Sequence, residues 1–543
     1  VSGRHVARTT GKDLLPSQHS GLVSRGFRQI VRIPQEPFDM DANSLIHPLD
    51  EANLKLLSHV RPKNWRNPTG DEVYDLLVIG AGTAGLVTAS GAARLGAKVA
   101  LVERALLGGD CLNVGCVPSK SLLRAARIVG EIRKGEVLGI SVGAVEVDFK
   151  EVMRRMRRRR ADISTHDSAQ RFTSLGVDVF FGDVQFTGPA EVAVNGQGLR
   201  FKRAVIATGT RPAVPSIPGL ADIPYLTNET LFCLTERPSR FVIIGGGPVG
   251  CEMAQAFARF GSEVTLLDLS TQLLAREDRD AAEVVANQLR RDGVRTELGL
   301  RLQLVKLIND GFQVQFERDG VQSEVIGDQL LVATGRTPNV ENLNLEAAGV
   351  AYSQQGVVVD DGLRTSAARV FAAGDVCSSF RFTHAADAMA RIVIQNALFF
   401  GRKSASALVI PWCTYTDPEI AHVGMYEQEA REQGRQVSTL TVPLSDVDRA
   451  VIDEEANGFV RVHHDRGKLL GCTIVARHAG EMIGEVAYVI THGGSLADLS
   501  ATIHPYPTQG EALKKIGDIY RLKLLTPRLR TWLKRYFAWC RSG

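Results

Sequence analysis

The chain has 543 residues, 44% of them hydrophobic and 23% charged, a globular balance with room for roughly three or four domains. A net charge of +4 is too mild to argue for a nucleic-acid partner, and eight cysteines in this length exclude a disulfide-built scaffold. No apolar run reaches transmembrane length and the start lacks a signal-peptide core, so a cytoplasmic, reducing setting is expected.

Residues 1–72 read as an extension. Its first forty residues lack periodicity and are expected to be disordered, with Met40 a candidate true start. A short helix is expected over 48–60, followed by a linker over 61–68. A strand at 75–79 then runs into Gly80-Ala-Gly82-Thr-Ala-Gly85, a helix to about Leu95, and a second strand ending at Glu103. In this plan the glycines permit a tight turn and close backbone approach. The helix N-terminus faces a pyrophosphate, and the acid accepts from ribose hydroxyls.

The cysteines Cys111 and Cys116 follow, in Gly109-Asp-Cys111-Leu-Asn-Val-Gly-Cys116-Val-Pro-Ser-Lys120. They are read as a loop entering a helix, whose N-terminus lowers a thiol's pKa. By themselves they would read more readily as core cysteines; their surroundings make them a redox pair. The arginine run 154–160 lacks aromatic stacking partners and reads as a solvated helix face, not a nucleic-acid site.

The nucleotide plan then repeats. A strand at 240–244 enters Gly245-Gly-Gly247-Pro-Val-Gly250, a helix, and a strand at 263–267 ending at Asp268, the same interval that separates Gly80 from Glu103. Each copy closes on a related turn, Ala207-Thr208-Gly209-Thr-Arg-Pro212 and Ala333-Thr-Gly335-Arg-Thr-Pro338. Two copies predict two dinucleotides in separate domains. A later strand at 369–373 ends at Gly374-Asp375. From about 405 the pattern changes to strands near 437–442, 458–463 and 468–476, then helices, an α+β domain closing on Thr502-Ile-His504-Pro-Tyr506-Pro-Thr-Gln-Gly-Glu511.

Beyond Pro527, Leu529, Trp532, Leu533, Tyr536, Phe537 and Cys540 fall on one helical face and Arg528, Arg530, Lys534, Arg535 and Arg541 largely on the other. A helix docked on its own dimer and a peripheral membrane contact are both consistent with that pattern.

Together, over residues of about 73–525, these elements resemble the flavin-dependent pyridine nucleotide–disulfide oxidoreductases, which include dihydrolipoamide dehydrogenase, glutathione reductase and mercuric reductase. The resemblance implies an α/β chain of two Rossmann-like dinucleotide-binding domains and a C-terminal α+β dimerisation domain. The boundaries are 73–214 for the first part of the FAD domain, 215–338 for NAD(P), 339–404 for the central FAD segment, 405–525 for dimerisation and 526–543 for a basic helix. It implies FAD on Gly80, Gly82, Gly85, Glu103 and Asp375, and NAD(P)H on Gly245, Gly247 and Gly250, with Gly109, Thr208, Gly209, Gly335 and Gly374 bordering the cofactors. Cys116 is implied to lie beside the flavin and Cys111 to meet the substrate, with Lys120 near flavin N5 and Glu252 as its ion-pair partner. The implied homodimer shares its active site, Cys111 and Cys116 facing the partner's Tyr506 and Glu511. No resident metal site is read.

Asp268, with no arginine in the residues just after it, favours NADH; Arg276 keeps NADPH open. In dihydrolipoamide dehydrogenase and glutathione reductase an imidazole and a glutamate occupy the positions of Tyr506 and Glu511. A phenol is a poor base at neutral pH, and His504, two residues upstream, is the candidate substitute. Tyrosine here is similar to mercuric reductase, in which a soft metal ion takes two thiolates directly. Against that stand the lack of an N-terminal Cys-x-x-Cys domain and a tail in which Cys540 is alone. The expected acceptor is thus a metal ion or a small molecule. A dihydrolipoamide dehydrogenase-type activity and a non-catalytic flavoprotein sensor or membrane-associated electron-transfer partner stay open.

Overall fold

A computed structural model describes residues 46–542. The expectations for the first forty residues and Met40 lie outside the described residues.

In the first sheet, Val177–Phe181, Val99–Glu103, Val73–Ile79 and Gln197–Ile206 run parallel in that order. Val370–Ala372 pairs in parallel with the end of Gln197–Ile206, and Val184–Gly188 with Glu191–Val194 continues its beginning as an antiparallel meander. The central strand is buried from Leu76 to Ile79 because both faces are covered, so it reads as an unbroken apolar run. Helices Thr83–Arg94 and Thr383–Leu398 supply Leu86, Ala89, Met389 and Val393 to one of these cores.

A second parallel sheet orders Val294–Leu298, Glu263–Asp268, Arg240–Ile244 and Gln329–Val332, beside an antiparallel trio, Arg301–Ile308, Gly311–Arg318 and Val321–Gly327. The third sheet is fully antiparallel: Trp412–Thr414, Glu419–Gly424, Lys468–Ala476, Phe459–Asp465 and Ser438–Pro443. Helices Ala479–Thr491 and Glu511–Leu524 share its apolar core through Ile483, Val486, Leu513 and Ile516. The two related turns meet each other. Thr210–Pro212 and Arg336–Pro338 pair antiparallel, clipping one nucleotide unit to the other.

The helix expected over 48–60 spans Glu51–Val60, capped by Asp50, whose carboxylate accepts from Asn53 N at 3.0 Å. The linker after it is not loose. Trp65 Nε1 donates to Val179 O at 3.1 Å, and Asn67 exchanges two 2.9 Å hydrogen bonds with Phe181, covering the exposed edge of the first sheet.

The arginine run requires a correction. Helix Phe149–Ile163 exposes Arg154, Arg158 and Arg159 but buries Arg157 and Arg160. Arg157 Nε donates to Asp50 Oδ2 at 2.6 Å, while Arg160 donates to Asn53 Oδ1 at 2.8 Å and to Asn113 O at 2.5 Å. The run is therefore half brace and half surface.

Candidate active site

Cys111 lies on the short helix Gly109–Asn113, and Cys116 opens the helix Cys116–Lys134. The expected loop is thus largely helical, and Lys120 lies within the second helix. Pro118 fits there because it falls in the first helical turn, where an N–H has no partner to lose. A second helix N-terminus also reaches the pair. Thr383, first residue of Thr383–Leu398, has its hydroxyl 3.6 Å from Cys116 Sγ. Two positive helix ends converge on one sulfur, a setting that favours thiolate.

The two thiols are unequal. A hydrogen bond from Cys111 lowers the Cys116 pKa to about 6, with Thr383 and the Lys120 charge assisting against the cost of burial. The same bond, then burial, pushes Cys111 up. At neutral pH the reduced pair is one thiolate, Cys116, with one proton held by Cys111. In the dithiol enzyme, carbamidomethylation of Cys116 rises as pH passes upward through about 6, because only the thiolate attacks. Cys111 stays protonated and slow. Peptide mass spectrometry after iodoacetamide treatment checks this; an ordinary midpoint of about 8.5 at Cys116 would contradict it.

Behind Cys116, Lys120 Nζ lies 2.8 and 3.1 Å from the Glu252 carboxylate oxygens, and Glu252 also accepts from Tyr415 N at 3.0 Å. The Tyr415 ring lies 4.6 Å from Nζ. Burial alone would depress Lys120, but the Glu252 charge and hydrogen bond outweigh it and raise its pKa. The ammonium is fixed in place and in charge.

The cysteine turn is clamped from two sides. Arg160, 1% exposed, donates to Asn113 O between the two cysteines, and Asn113 Nδ2 donates to Leu107 O and Gly109 O, both at 2.9 Å. Opposite, Asp110 accepts from Asn228 at 2.9 Å and pairs with Arg336 at 3.0 Å. Arg336 also donates to Thr210 Oγ1 at 2.7 Å, so the clip between the two nucleotide units also holds the redox turn. Arg160→Ala leaves two dry acceptors without a donor and costs about 2–3 kcal/mol in denaturant unfolding. Combined with Asn53→Ala the losses fall short of additivity, because both remove one network.

The nucleotide cradles repeat at atomic detail. Gly80 has φ +100, and a Cβ there would stand 2.5 Å from Ala207 O; a Cβ on Gly85 would stand 1.8 Å from Gly80 O. At Gly245 and Gly250 the matching figures are 2.4 Å from Ala333 O and 1.8 Å from Gly245 O. These glycines seat the helix against the strand end. The middle glycines behave differently. A Cβ on Gly247 would meet nothing within 4 Å, and one on Gly82 only Gly109 Cα at 3.9 Å. Both therefore leave room beside a helix N-terminus for a pyrophosphate to approach.

Glu103 accepts from Ala81 N and Ala105 N, each at 2.7 Å. Asp268 accepts from Gly246 N and, at 2.6 Å, from Ser270 N. Each acid is oriented by two backbone amides and keeps lone pairs for a ribose. Gly374, where a Cβ would lie 3.1 Å from that of Ala84, brings Asp375 beside the first cradle, and Thr210 Oγ1 donates to Asp375 at 3.2 Å. Thr208 exchanges hydrogen bonds with Asn339 at 2.7 and 2.9 Å, while Gly209 and Gly335 lie in the clipped turns with positive φ. The residues present fit one dinucleotide at each cradle.

The segment from Thr502 to Glu511 stands apart. No hydrogen bond or ion pair among the described residues joins it to the cysteine turn of its own chain. Tyr506 is 70% exposed and donates to Asp448 Oδ2 at 2.9 Å, a bond that raises its pKa. His504 Nε2 lies 3.1 Å from both Glu485 oxygens. Glu511 begins helix Glu511–Leu524, with its Oε2 buried and without a hydrogen-bond partner. No group of three or more His, Cys, Asp or Glu among the described residues is arranged to hold a metal ion.

Two family models match the chain. One, described as pyridine nucleotide-disulphide oxidoreductase, covers residues 74–390, and the dimerisation domain of the same family covers 410–516. The chain belongs to this family. A mercuric reductase of Lysinibacillus sphaericus is 34% identical over 92% of this chain and 93% of that protein. A mercuric reductase of Staphylococcus aureus is 36% identical over 82% of each, and a dihydrolipoyl dehydrogenase of Thermus scotoductus 35% identical over 82% and 97%. Among solved structures, the Cu(II) complex of the HOCl-induced flavoprotein disulfide reductase RclA from Escherichia coli superposes with a TM-score of 0.73, at 30% identity over 82% of this chain and 99% of that one.

The fold is that of a flavoprotein disulfide reductase, and the chain is an enzyme of an FAD-dependent family that takes NAD(P)H. Its dimerisation domain supports a homodimer. Sequence reasoning missed Thr383, Tyr415 and the Asp110 and Asn113 clamps in this oxidoreductase. Each acts through a partner distant in the chain, so that even Asp110 and Asn113, inside the cysteine motif, give no local sign of the clamp.

Proposed function

We propose that this oxidoreductase carries electrons from NADH, through FAD at the Gly80–Glu103 cradle and Asp375, to the Cys111–Cys116 pair, and that its acceptor is a soft metal ion of the Hg(II) kind. When bound, FAD takes a hydride from the nicotinamide and supplies the electron pair that opens a disulfide or reduces a thiolate-bound metal. The chain does the rest. Lys120 and two helix ends hold Cys116 as thiolate, Cys111 stores the proton, and the clamps on Asn113 and Asp110 keep the sulfurs in register. The domain division at 73–214, 215–338, 339–404 and 405–525 and the partner's Tyr506 and Glu511 facing Cys111 belong to the same proposal.

The observation that carries the metal reading is Tyr506. Its hydroxyl is tied to Asp448 and its pKa is raised, so the position that holds an imidazole in dihydrolipoamide dehydrogenase and glutathione reductase offers only a phenol, a poor base for the protons of a dithiol substrate. A soft ion displaces thiol protons by coordination and needs no such base. The Cu(II) complex of the RclA relative adds support. For the nucleotide, Asp268 would repel a 2′-phosphate, and Arg276 is engaged with the Trp412 ring at 5.4 Å. The 35% identity to dihydrolipoyl dehydrogenase favours a second reading, a dithiol substrate.

Steady-state oxidation of NADH and NADPH against Hg(II), lipoamide and glutathione disulfide separates the two. The proposal expects the fastest turnover with NADH and Hg(II). Lipoamide turnover matching or exceeding that with Hg(II) would overturn it.

A further inference from the structure

The helix Pro527–Ser542 begins beyond the matched dimerisation domain, which ends at residue 516. It carries its largest side chains in the open: Trp532 is 60% exposed, Phe537 53% and Trp539 72%. Trp539 joins the apolar face that the sequence assigned to its neighbours, with its ring 6.3 Å from that of Tyr536, which in turn stacks on Trp532 at 5.7 Å. At 3.6 residues per turn, Leu529, Trp532, Leu533, Tyr536, Phe537 and Trp539 fill an arc of about 160°.

The charges are placed just as selectively. Arg530, Lys534 and Arg541 border one side of that arc, Arg528 and Arg535 the other, and the segment contains no aspartate or glutamate. Small or polar residues, Thr531 and Ala538, occupy the opposite face. Cations flanking an aromatic-rich face sit at the height where phosphates lie when such a face enters the acyl boundary, and tryptophan and tyrosine favour that boundary. Two-fold pairing of the same face with a second copy would instead bring these cationic rows against one another with no carboxylate between them. No helix among the described residues is long and apolar enough to cross a membrane, so the contact is peripheral.

We infer that Pro527–Ser542 docks the enzyme on an anionic lipid surface, lying in the interface with Trp532, Tyr536, Phe537 and Trp539 inserted and its arginines and lysine on phosphates. The inference is independent of which acceptor the cysteines serve.

Co-sedimentation of the full-length FAD-loaded enzyme with vesicles tests it. Phosphatidylcholine vesicles containing about one third phosphatidylglycerol should carry most of the protein into the pellet, and phosphatidylcholine alone should leave it in the supernatant. A chain ending at residue 526, and the pair Trp532→Ser with Phe537→Ser, should lose about tenfold or more in binding. Salt of about 1 M should do the same to the full-length protein by screening the cations. NADH-dependent flavin reduction and oligomeric mass stay unchanged in both variants. Equal recovery of full-length and shortened protein in the supernatant overturns the inference. A change in oligomeric mass on shortening also overturns it, because it assigns the helix to a second copy.

Discussion

Cys116→Ser ends acceptor turnover while leaving reduction of the flavin by NADH intact. The expected loss is about a thousandfold or more, the scale seen when the one group that forms a covalent link is removed. The reason lies in the division of labour at the turn. Cys116 carries the lowered pKa and receives Thr383 and the Lys120 charge, so serine, which does not ionise near neutrality, leaves Lys120 and two helix ends with no anion to stabilise. Cys111→Ala, which removes the donor together with the thiol, should be as damaging to turnover yet differ in one respect. Without the hydrogen bond from Cys111, the Cys116 pKa rises from about 6 towards its ordinary value. Stopped-flow reduction by NADH, followed by steady-state assay with the acceptor, reads both variants. Retention of more than about a tenth of wild-type turnover in Cys116→Ser would contradict the role assigned to it.

Glu252→Ala has the largest expected effect on stability. Its side chain is 4% exposed, holds Lys120 with both oxygens and accepts from Tyr415 N, so its removal leaves an ammonium and an amide without their acceptor. Breaking one partner of a buried ion pair costs about 3–5 kcal/mol, and the Lys120 side chain, 37% exposed, can turn partly to water, which places this case near 3 kcal/mol. Glu252→Gln keeps an acceptor for Tyr415 and should lose less. Urea unfolding of the three proteins checks the order, wild type above Gln above Ala; a midpoint for Ala equal to wild type would show that the pair does not hold the turn. Lys120 released from Glu252 also loses its fixed position behind Cys116, and turnover should fall with stability.

The parts of the site legible in the sequence are those whose chemistry is local. Gly80 and Gly85 are glycine because backbone oxygens lie where a side chain would be, and the requirement recurs at Gly245 and Gly250. Glu103 and Asp268 follow because a strand end must present an acid to the turn beside it. The Cys111–Cys116 spacing is written in one short stretch. Arg157 and Arg160 were not legible, because a run of arginines looks like surface until Asp50, Asn53 and Asn113 are seen folded over it. Thr383 and Tyr415 reach the site from other parts of the chain. The docking of Trp65 and Asn67 on the first sheet was hidden for a related reason, since an irregular segment declares no partner until its edge strand is in place.

The redox role of Cys111 and Cys116 is tested most directly by one count: free thiols per flavin after the FAD-loaded enzyme has been given one equivalent of NADH without oxygen and then denatured and alkylated, less the count before NADH. It predicts two new thiols, mapped by peptide mass spectrometry to Cys111 and Cys116, with the other six cysteines of the chain unchanged. A bleached flavin with no new thiol at either position would contradict it.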